Sequence, residues 1–366
     1  MTTLCCATCG KSFAADEPRW RCTCGGLLDL DFHAKLKPDR LISRASDMWR
    51  YREVLPIDSD ENIISYGEGF TPLQKIVVNG RKVYAKLDFL FPTGSYKDRG
   101  AALLVSKIKE LRVRRVVEDS SGNAGAAIAT YCARAKIACD IYVPAYASAE
   151  KLVQIEAMGA HLHKVTGSRE DTAAAALEAA ETSYYASHSW NPFFMHGVKT
   201  IAYEMCEQLR WRAPDVFAVP VGNGSLLLGA FIGFNELLQN GHIQKTPKFV
   251  AVQSENCAPC ANAFWQNCDD IVSIDKKPTI AEGIAVGEPA RGAQILQAVR
   301  QSQGDFITVS EEEITAWLGN LYHQGFYIEP TSATVFAGLA KYTANLSSNE
   351  TVVTVMTGHG LKAKKK

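Results

Sequence analysis

The sequence predicts an α/β protein with parallel sheets in two lobes, preceded by a small cysteine-rich unit. Three observations carry that expectation. β-like and helix-like segments alternate from about residue 65 onward, the chain is 366 residues long, and five of its 11 cysteines fall within the first 24 residues. Strands separated by helices imply parallel pairing through right-handed crossovers. A stretch of about 300 residues is large for one such sheet, so two lobes are expected.

The N-terminal unit, residues 1–32, contains Cys6-Ala-Thr-Cys9-Gly and Cys22-Thr-Cys24-Gly-Gly. Glycine just after the second cysteine of each pair lets backbone amides turn toward thiolate sulfur, as a zinc knuckle requires. Cys6, Cys9, Cys22 and Cys24 are therefore candidate ligands of a structural zinc, which would hold together a patch too small for its own core. Free or redox-active thiols are the alternative, the second pair has only one intervening residue, and Cys5 competes with Cys6. No histidine lies in the cluster to suggest an open, catalytic site.

Residues 33–64 are mixed and charged and read as a helical lead-in, with Trp49, Tyr51 and Leu55 as docking residues. The catalytic region is expected over 65–366, with a small lobe of about 98–200 inserted in a larger one. Its elements follow in order: a helix from Lys97 to about Leu111, a strand at Val113–Val117, and an Ala-rich helix to Ala135. A strand at Asp140–Val143, a helix from Ala149 to near Gly159, a strand at His161–Val165 and a helix at Ser168–Ala180 come next. Then come a strand at Val216–Val221, a helix to about Leu238, and a strand at Phe249–Gln253. Helices at Glu311–His323 and Ser332–Tyr342 and a strand at Val352–Met356 complete the pattern. The closing run Lys362-Ala363-Lys364-Lys365-Lys366 reads as a solvated tail.

Apolar residues make up 47% and charged residues 21%, which excludes wholesale disorder. Lys plus Arg and Asp plus Glu are 39 each, so the chain lacks the basic excess that a nucleic-acid partner demands. The longest apolar stretch, Ser225 to Phe234, is roughly half a membrane span. No leading segment resembles a secretory signal, so a soluble, cytoplasmic location is expected.

Three glycine-rich turns each follow a strand or turn and open a helix, where backbone N–H groups and the helix dipole favour an anion. Gly222-Asn223-Gly224-Ser225-Leu226 is the best phosphate cradle, although it lacks the Walker lysine and a full GxGxxG pattern. Ser120-Ser121-Gly122-Asn123 is a second nest, sized for a carboxylate. The third, Pro92-Thr93-Gly94-Ser95-Tyr96-Lys97-Asp98-Arg99-Gly100, places Lys97 at a helix start, where the helix dipole opposes a second positive charge.

Taken together, from Ser65 to Leu361 these segments resemble the fold type II pyridoxal-phosphate enzymes, and within them the threonine synthases. Gly94 to Gly100 is similar to the family's Schiff-base segment, which would make Lys97 the catalytic and cofactor lysine. Ser121-Gly122-Asn123 resembles the loop whose Asn meets the cofactor's phenolic oxygen; Ser120, Ser121 and Gly122 would hold the substrate carboxylate. Pro220 to Gly224 resembles the phosphate loop, so Gly222, Asn223, Gly224, Ser225 and Leu226 are implied phosphate contacts. Glu329-Pro330-Thr331-Ser332-Ala333 matches another family run. Thr357-Gly358-His359-Gly360-Leu361 resembles the stretch whose threonine hydroxyl meets the pyridine nitrogen. A cysteine-rich ribbon ending in Cys-x-Cys-Gly-Gly, as Cys22 to Gly26 does, is found in many threonine synthases.

The resemblance implies pyridoxal 5'-phosphate and structural zinc as cofactors, a small amino acid as substrate and a homodimer as assembly. The implied reaction is a threonine-synthase-like lyase step, O-phosphohomoserine plus water giving threonine and phosphate. Some features lean elsewhere. The family's phosphate-binding Arg falls at Phe194, with Lys199, Arg169, His196 or Lys151 as possible substitutes. A second phosphate-loop Asn falls at Leu226, and Ala124 stands where a polar residue is common. Thr279-Ile280-Ala281-Glu282-Gly283-Ile284-Ala285-Val286 is similar to a string in threonine and serine dehydratases. Thus β-elimination by a dehydratase or ammonia-lyase, and β-replacement on a phospho- or acetyl-serine, are the alternatives.

Cys257-Ala258-Pro259-Cys260 reads as two ordinary thiols or a redox or metal pair. Cys132, Cys139, Cys206 and Cys268 read as small buried hydrophobes, and His188 and His359 as loop histidines that could shuttle protons. A ribbon serving as a binding module on an inactive body is the remaining class. Its charges, Lys11, Arg19 and Arg21 against Asp16, Glu17, Asp29 and Asp31, offer no basic face.

Overall fold

A computed structural model describes residues 2–33 and 35–363; within these, the side chains of Glu150, Lys151 and Asn345 are not described, and the lysines at 364–366 lie outside the described residues. Strands β1 (Thr3–Cys6), β2 (Ser12–Ala14) and β3 (Leu28–Asp31) form an antiparallel sheet in the order β2-β1-β3. Side chains along a strand alternate, so β1 buries Leu4 and Cys6 and leaves Thr3 and Cys5 half-buried.

The lead-in contains 3-10 turns at Pro38–Ser43, Met48–Val54 and Asp60–Asn62 rather than an α-helix. Trp49, Tyr51 and Leu55 are buried. Such irregular backbone needs side-chain partners for its polar groups. Asp47 accepts from the amides of Trp49 and Arg50, and the Arg50 guanidinium donates to the carbonyls of Leu41 and Ala45.

The chain divides into two units. One holds the chain up to Gly69 together with Lys97–Val198; the other holds Phe70–Tyr96 and the chain from Lys199 onward. The second unit begins with a hairpin, β4 (Leu73–Val78) and β5 (Arg81–Lys86), whose turn residues Asn79 and Gly80 both have positive φ, the geometry that two-residue hairpins favour.

The first unit continues with α1 (Lys97–Glu110), β6 (Arg115–Glu118), α2 (Asn123–Ala135), β7 (Ala138–Pro144), α3 (Ala149–Ala157), β8 (His161–Val165), α4 (Arg169–Ala179), β9 (Tyr184–Tyr185) and α5 (Pro192–Val198). Its four strands are all parallel, in the order β8-β7-β6-β9. Ser168 and Asp171 close a capping box at the start of α4.

The second unit resumes with α6 (Thr200–Gln208), β10 (Val216–Pro220), α7 (Ser225–Gln239), β11 (Lys248–Ser254), α8 (Pro259–Trp265), α9 (Gly292–Gln301), β12 (Asp305–Val309), α10 (Glu311–His323), α11 (Pro330–Tyr342) and β13 (Val352–Val355). The strand order is β12-β11-β10-β13-β5-β4, parallel except for the first hairpin. Every residue of β10 and β13 is buried, as in a parallel sheet covered on both faces by helices. Parallel sheets in an α/β arrangement are what the alternation of segments implies. Among the described residues no helix is long and apolar enough to cross a membrane.

Helices α1 and α5 approach closely because glycine sits at the crossing. A Cβ at Gly197 would lie 2.2 Å from the Arg99 carbonyl oxygen, and one at Gly100 would enter the Phe194 ring at 2.4 Å. By contrast, a Cβ at Gly319, inside α10, would meet nothing within 4 Å. The two positions should therefore respond oppositely to alanine. Gly197→Ala is expected to destabilise by about 1–3 kcal/mol through overpacking, and Gly319→Ala to stabilise by about 0.5–1 kcal/mol through lower unfolded-chain entropy. Thermal or urea unfolding of the two variants checks both signs.

Candidate active site

Within the second unit, five of the segments singled out by sequence meet. Gly94 adopts φ +78°, its amide donates to the Phe91 carbonyl, and its own carbonyl accepts from His359. Ser95 forms an antiparallel bridge with Gly358, and the Tyr96 amide donates to the Thr357 carbonyl at 3.0 Å. The backbone just before Lys97 is thus bound to the Thr357–His359 stretch.

Ser332, in the first turn of α11, locks that stretch further. Its Oγ accepts from the amides of Thr357 (2.8 Å) and Gly358 (3.2 Å) and lies 3.0 Å from the Thr357 hydroxyl. The Thr357 hydroxyl donates to Glu329 Oε1 at 3.2 Å, and the Glu329 amide donates to the Gly358 carbonyl. Thr331 Oγ1 accepts from the Gly283 amide, which brings in the Thr279–Val286 string.

That string lines the glycine turn after β10. A Cβ at Gly222 would lie 2.9 Å from Ile284 Cα and 3.2 Å from Val286 Cγ2. Gly224, with φ +75°, caps α7 without any side-chain hydrogen bond, and Ser225 is the first residue of that helix. The Tyr96 hydroxyl stands 3.1 Å from Ser225 Oγ. This set fits a phosphate-bearing aromatic group. The turn offers helix-start amides and a backbone that only glycine allows, Thr357 offers a neutral hydroxyl, and the buried Ser95 Oγ has no partner among the described residues.

In the first unit, Lys97 opens α1 and is half-buried. The turn after β6 carries Ser120, Ser121 and Gly122, and Asn123 opens α2, which packs against α1. Gly122 caps α2 with no side-chain bond, its amide held by Ser120 Oγ at 3.2 Å. Gly125 is obligatory, because a Cβ there would fall 1.9 Å from the Ser120 carbonyl oxygen.

A charge network that sequence reasoning missed sits at the same end of β6. Glu118 Oε1 is 2.7 Å from His188 Nδ1, while Asp119 accepts from Arg169 (2.7 Å) and from the Tyr185 hydroxyl (2.8 Å). Burial pushes the Glu118 carboxyl up. It pushes Asp119 up as well, but Arg169 and His188 outweigh burial and hold that carboxyl below its usual range. The one available signal was a Glu-Asp pair ending a β-branched strand.

Position 194 is apolar in space as well as in sequence: the buried Phe194 ring packs on Gly100 and lies edge-on to His188. Of the suggested substitutes for an arginine, Lys199 is buried and donates to Glu236 at 2.7 Å, Arg169 pairs with Asp119, and His196 is buried edge-on to Phe32. The side chain of Lys151 lies outside the described residues. Lys362, expected to be solvated, donates to the Thr93 carbonyl. Cys257 and Cys260 are fully buried, and burial pushes the Cys260 thiol up to about 12, away from the thiolate that redox or metal chemistry requires. Cys132, Cys139 and Cys206 are buried as expected; Cys268 is only partly so.

In the ribbon, the sulfurs of Cys6, Cys9, Cys22 and Cys24 all lie within 4.8 Å of one another, with Cys6–Cys24 and Cys9–Cys22 at 3.6 Å. A tetrahedral ion with sulfur ligands at about 2.3 Å demands sulfur–sulfur edges of about 3.8 Å. Amides of Thr8 and Cys9 donate to Cys6 Sγ, both at 3.4 Å. The Gly26 amide favours the Cys24 thiolate, but the three neighbouring sulfurs outweigh it and push the thiol up to about 12. A cation among the four sulfurs would offset that repulsion, and the geometry fits a zinc site. Cys5 points away, toward Ser12 and Thr3.

Comparison with known proteins agrees with this geometry. The family model for pyridoxal-phosphate dependent enzymes matches residues 64–358. The threonine synthase of Methanocaldococcus jannaschii is 35% identical, covering 98% of this chain and 92% of that protein. That of Methanosarcina acetivorans is 33% identical over 99% and 92%. Among solved structures, threonine deaminase isoform 2 from Solanum lycopersicum superposes with a TM-score of 0.70 at 21% identity, covering 92% of this chain and 88% of that one. Maize serine racemase does so with a TM-score of 0.70 at 21% identity, over 87% and 94%. The two structures share the fold, and the sequence likeness runs through the cysteine ribbon to the C-terminal motif. The chain belongs to the family of pyridoxal-phosphate-dependent enzymes.

Proposed function

We propose that this protein is a threonine-synthase-type lyase, converting O-phosphohomoserine and water to threonine and phosphate. The observation that carries this reading is likeness to threonine synthases over 98% of the chain, ribbon included. In this reading residues 1–32 are the zinc ribbon on Cys6, Cys9, Cys22 and Cys24, 33–64 the lead-in and 65–366 the catalytic region with its small lobe at about 98–200. The enzyme works in the cytoplasm as a homodimer with no nucleic-acid partner.

Lys97 would hold the cofactor covalently and, once displaced by substrate, carry the proton to and from Cα. Backbone amides from Gly222 to Leu226 and the Ser225 hydroxyl would hold the phosphate dianion without a basic side chain. Asn123 would meet the phenolic oxygen. Ser120, Ser121 and Gly122 would hold the substrate carboxylate through main-chain N–H groups. Thr357, fixed by Ser332 and Glu329, would present a neutral group to the pyridine nitrogen. Bound pyridoxal phosphate supplies the electron sink for Cα. A neutral partner for the ring keeps that sink moderate, which suits elimination and replacement at Cβ over transamination.

A second reading is favoured by one observation. Phe194, in the first unit, is apolar and buried, and Lys199, in the second, is paired with Glu236, so neither position supplies the bidentate cation that a substrate phosphate prefers. A substrate with a smaller β-leaving group, giving a 2-oxo acid and ammonia or a β-substituted product, would need none.

Incubation with O-phosphohomoserine, O-phosphoserine, L-threonine and L-serine, scoring phosphate, ammonia and amino-acid products, separates these chemistries. Threonine and phosphate from the first substrate are expected; ammonia and a 2-oxo acid alone would reverse the order of the two readings. Lys97→Ala is expected to lose the visible absorbance of covalently bound cofactor and to lower turnover at least about 100-fold. Spectra and rates of the purified variant check this. Elemental analysis should find one zinc per chain, and Cys22→Ser should lose it and expose the ribbon to protease.

A further inference from the structure

We propose that Tyr96 is a positioning residue that spaces the cofactor's two ends by spanning from Thr357 to Ser225. This rests on the reading above, in which the Gly222–Leu226 turn holds phosphate and Thr357 meets the ring nitrogen. The Tyr96 amide is bound to the Thr357 carbonyl at 3.0 Å, and the preceding residue bridges Gly358. At the other end of the same side chain, the phenolic oxygen is 3.1 Å from Ser225 Oγ. One residue therefore ties the C-terminal motif to the first residue of α7, immediately before the lysine in the chain.

The direction of the hydroxyl pair matters. A serine hydroxyl has one proton and two acceptor positions. If Ser225 donated to Tyr96, its proton would be spent, and an anion at the turn would meet only its lone pairs. In the proposed arrangement the Tyr96 hydroxyl donates to Ser225 Oγ, which fixes the orientation of the serine hydroxyl at the turn. Gly224 offers α7 no side-chain cap, so Ser225 is the hydroxyl at that helix start whose orientation a partner must set. Phenylalanine at position 96 would keep the aromatic ring and lose this control.

Apoprotein titrated with pyridoxal phosphate, followed by equilibrium dialysis, tests the assignment. Tyr96→Phe is expected to weaken cofactor binding about 5- to 10-fold, the loss of one hydrogen bond to a group near an anion. Ser225→Ala should weaken it at least as much, and the double variant should bind no more weakly than Ser225→Ala alone, because the two act through one contact. The melting temperature of the Tyr96→Phe apoprotein should match the unsubstituted chain. Affinity within twofold of the parent, additive losses in the double variant, or a lowered apoprotein melting temperature would each overturn the proposal. Lys97→Ala serves as the control on the underlying reading. Retention of the covalent cofactor band in that variant defeats the site assignment itself, whereas its loss alongside an unaffected Tyr96→Phe defeats only the role of Tyr96.

Discussion

Backbone pairing between residues 94–96 and 357–359 is the constraint on which the candidate site depends. The two segments follow β5 and β13, which are parallel neighbours, but they meet each other in the antiparallel sense, through the Ser95–Gly358 bridge. Met356 donates to the Lys86 carbonyl, Tyr96 to Thr357 and His359 to Gly94. Stretches from opposite ends of the catalytic region are thereby held in one register. Ser332 and Glu329 then bind the same stretch from α11, and Gly283 reaches Thr331 beside them. Were the pairing lost, the Thr357 hydroxyl and the residue preceding Lys97 would have no fixed relation.

The electrostatic character of the glycine turn and the Thr357 stretch differs from that of the buried charge pairs elsewhere in the chain. Around the glycine turn and Thr357 the polar groups are mostly neutral: main-chain amides, the hydroxyls of Ser95, Tyr96, Ser225, Thr331, Ser332 and Thr357, and the Glu329 carboxylate engaged by Thr357. Buried charges elsewhere come with partners, since an unpaired buried charge is costly. Lys86 is held by Glu204, Gln208 and the Thr71 carbonyl, and Lys199 by Glu236. Glu118 pairs with His188 and Asp119 with Arg169. Lys97 differs from Lys86 and Lys199 by position, half-buried at a helix start instead of enclosed in the core.

Much of this was readable from residues in order. Alternating segments predicted parallel sheets, and the glycine turns before α2 and α7 predicted helix starts within a residue of where they occur. Elements with a strong period or a Gly/Ser-rich turn were legible for that reason. α6 was not, because its polar stripe, Thr200, Glu204 and Gln208, faces buried Lys86 and not solvent, and the lead-in formed 3-10 turns because its apolar residues follow no helical stripe. Tyr96 gave no signal as a partner of Ser225, since a tyrosine before a lysine looks like any core aromatic.

The sequence alone determined the class of chemistry, because glycine, lysine and cysteine at set spacings are demanded by local backbone geometry and ligand chemistry, both short-range matters. It also pointed to a cluster of four cysteines in the ribbon, but not to which of two adjacent cysteines joins it; strand alternation in β1 decided for Cys6. Tertiary structure alone decided that five separate motifs of the second unit converge, that Glu118 and His188 pair, and that Phe194 and Lys199 are occupied in the core. Those are long-range contacts, set by sheet register and helix packing, and no local pattern of residues encodes them.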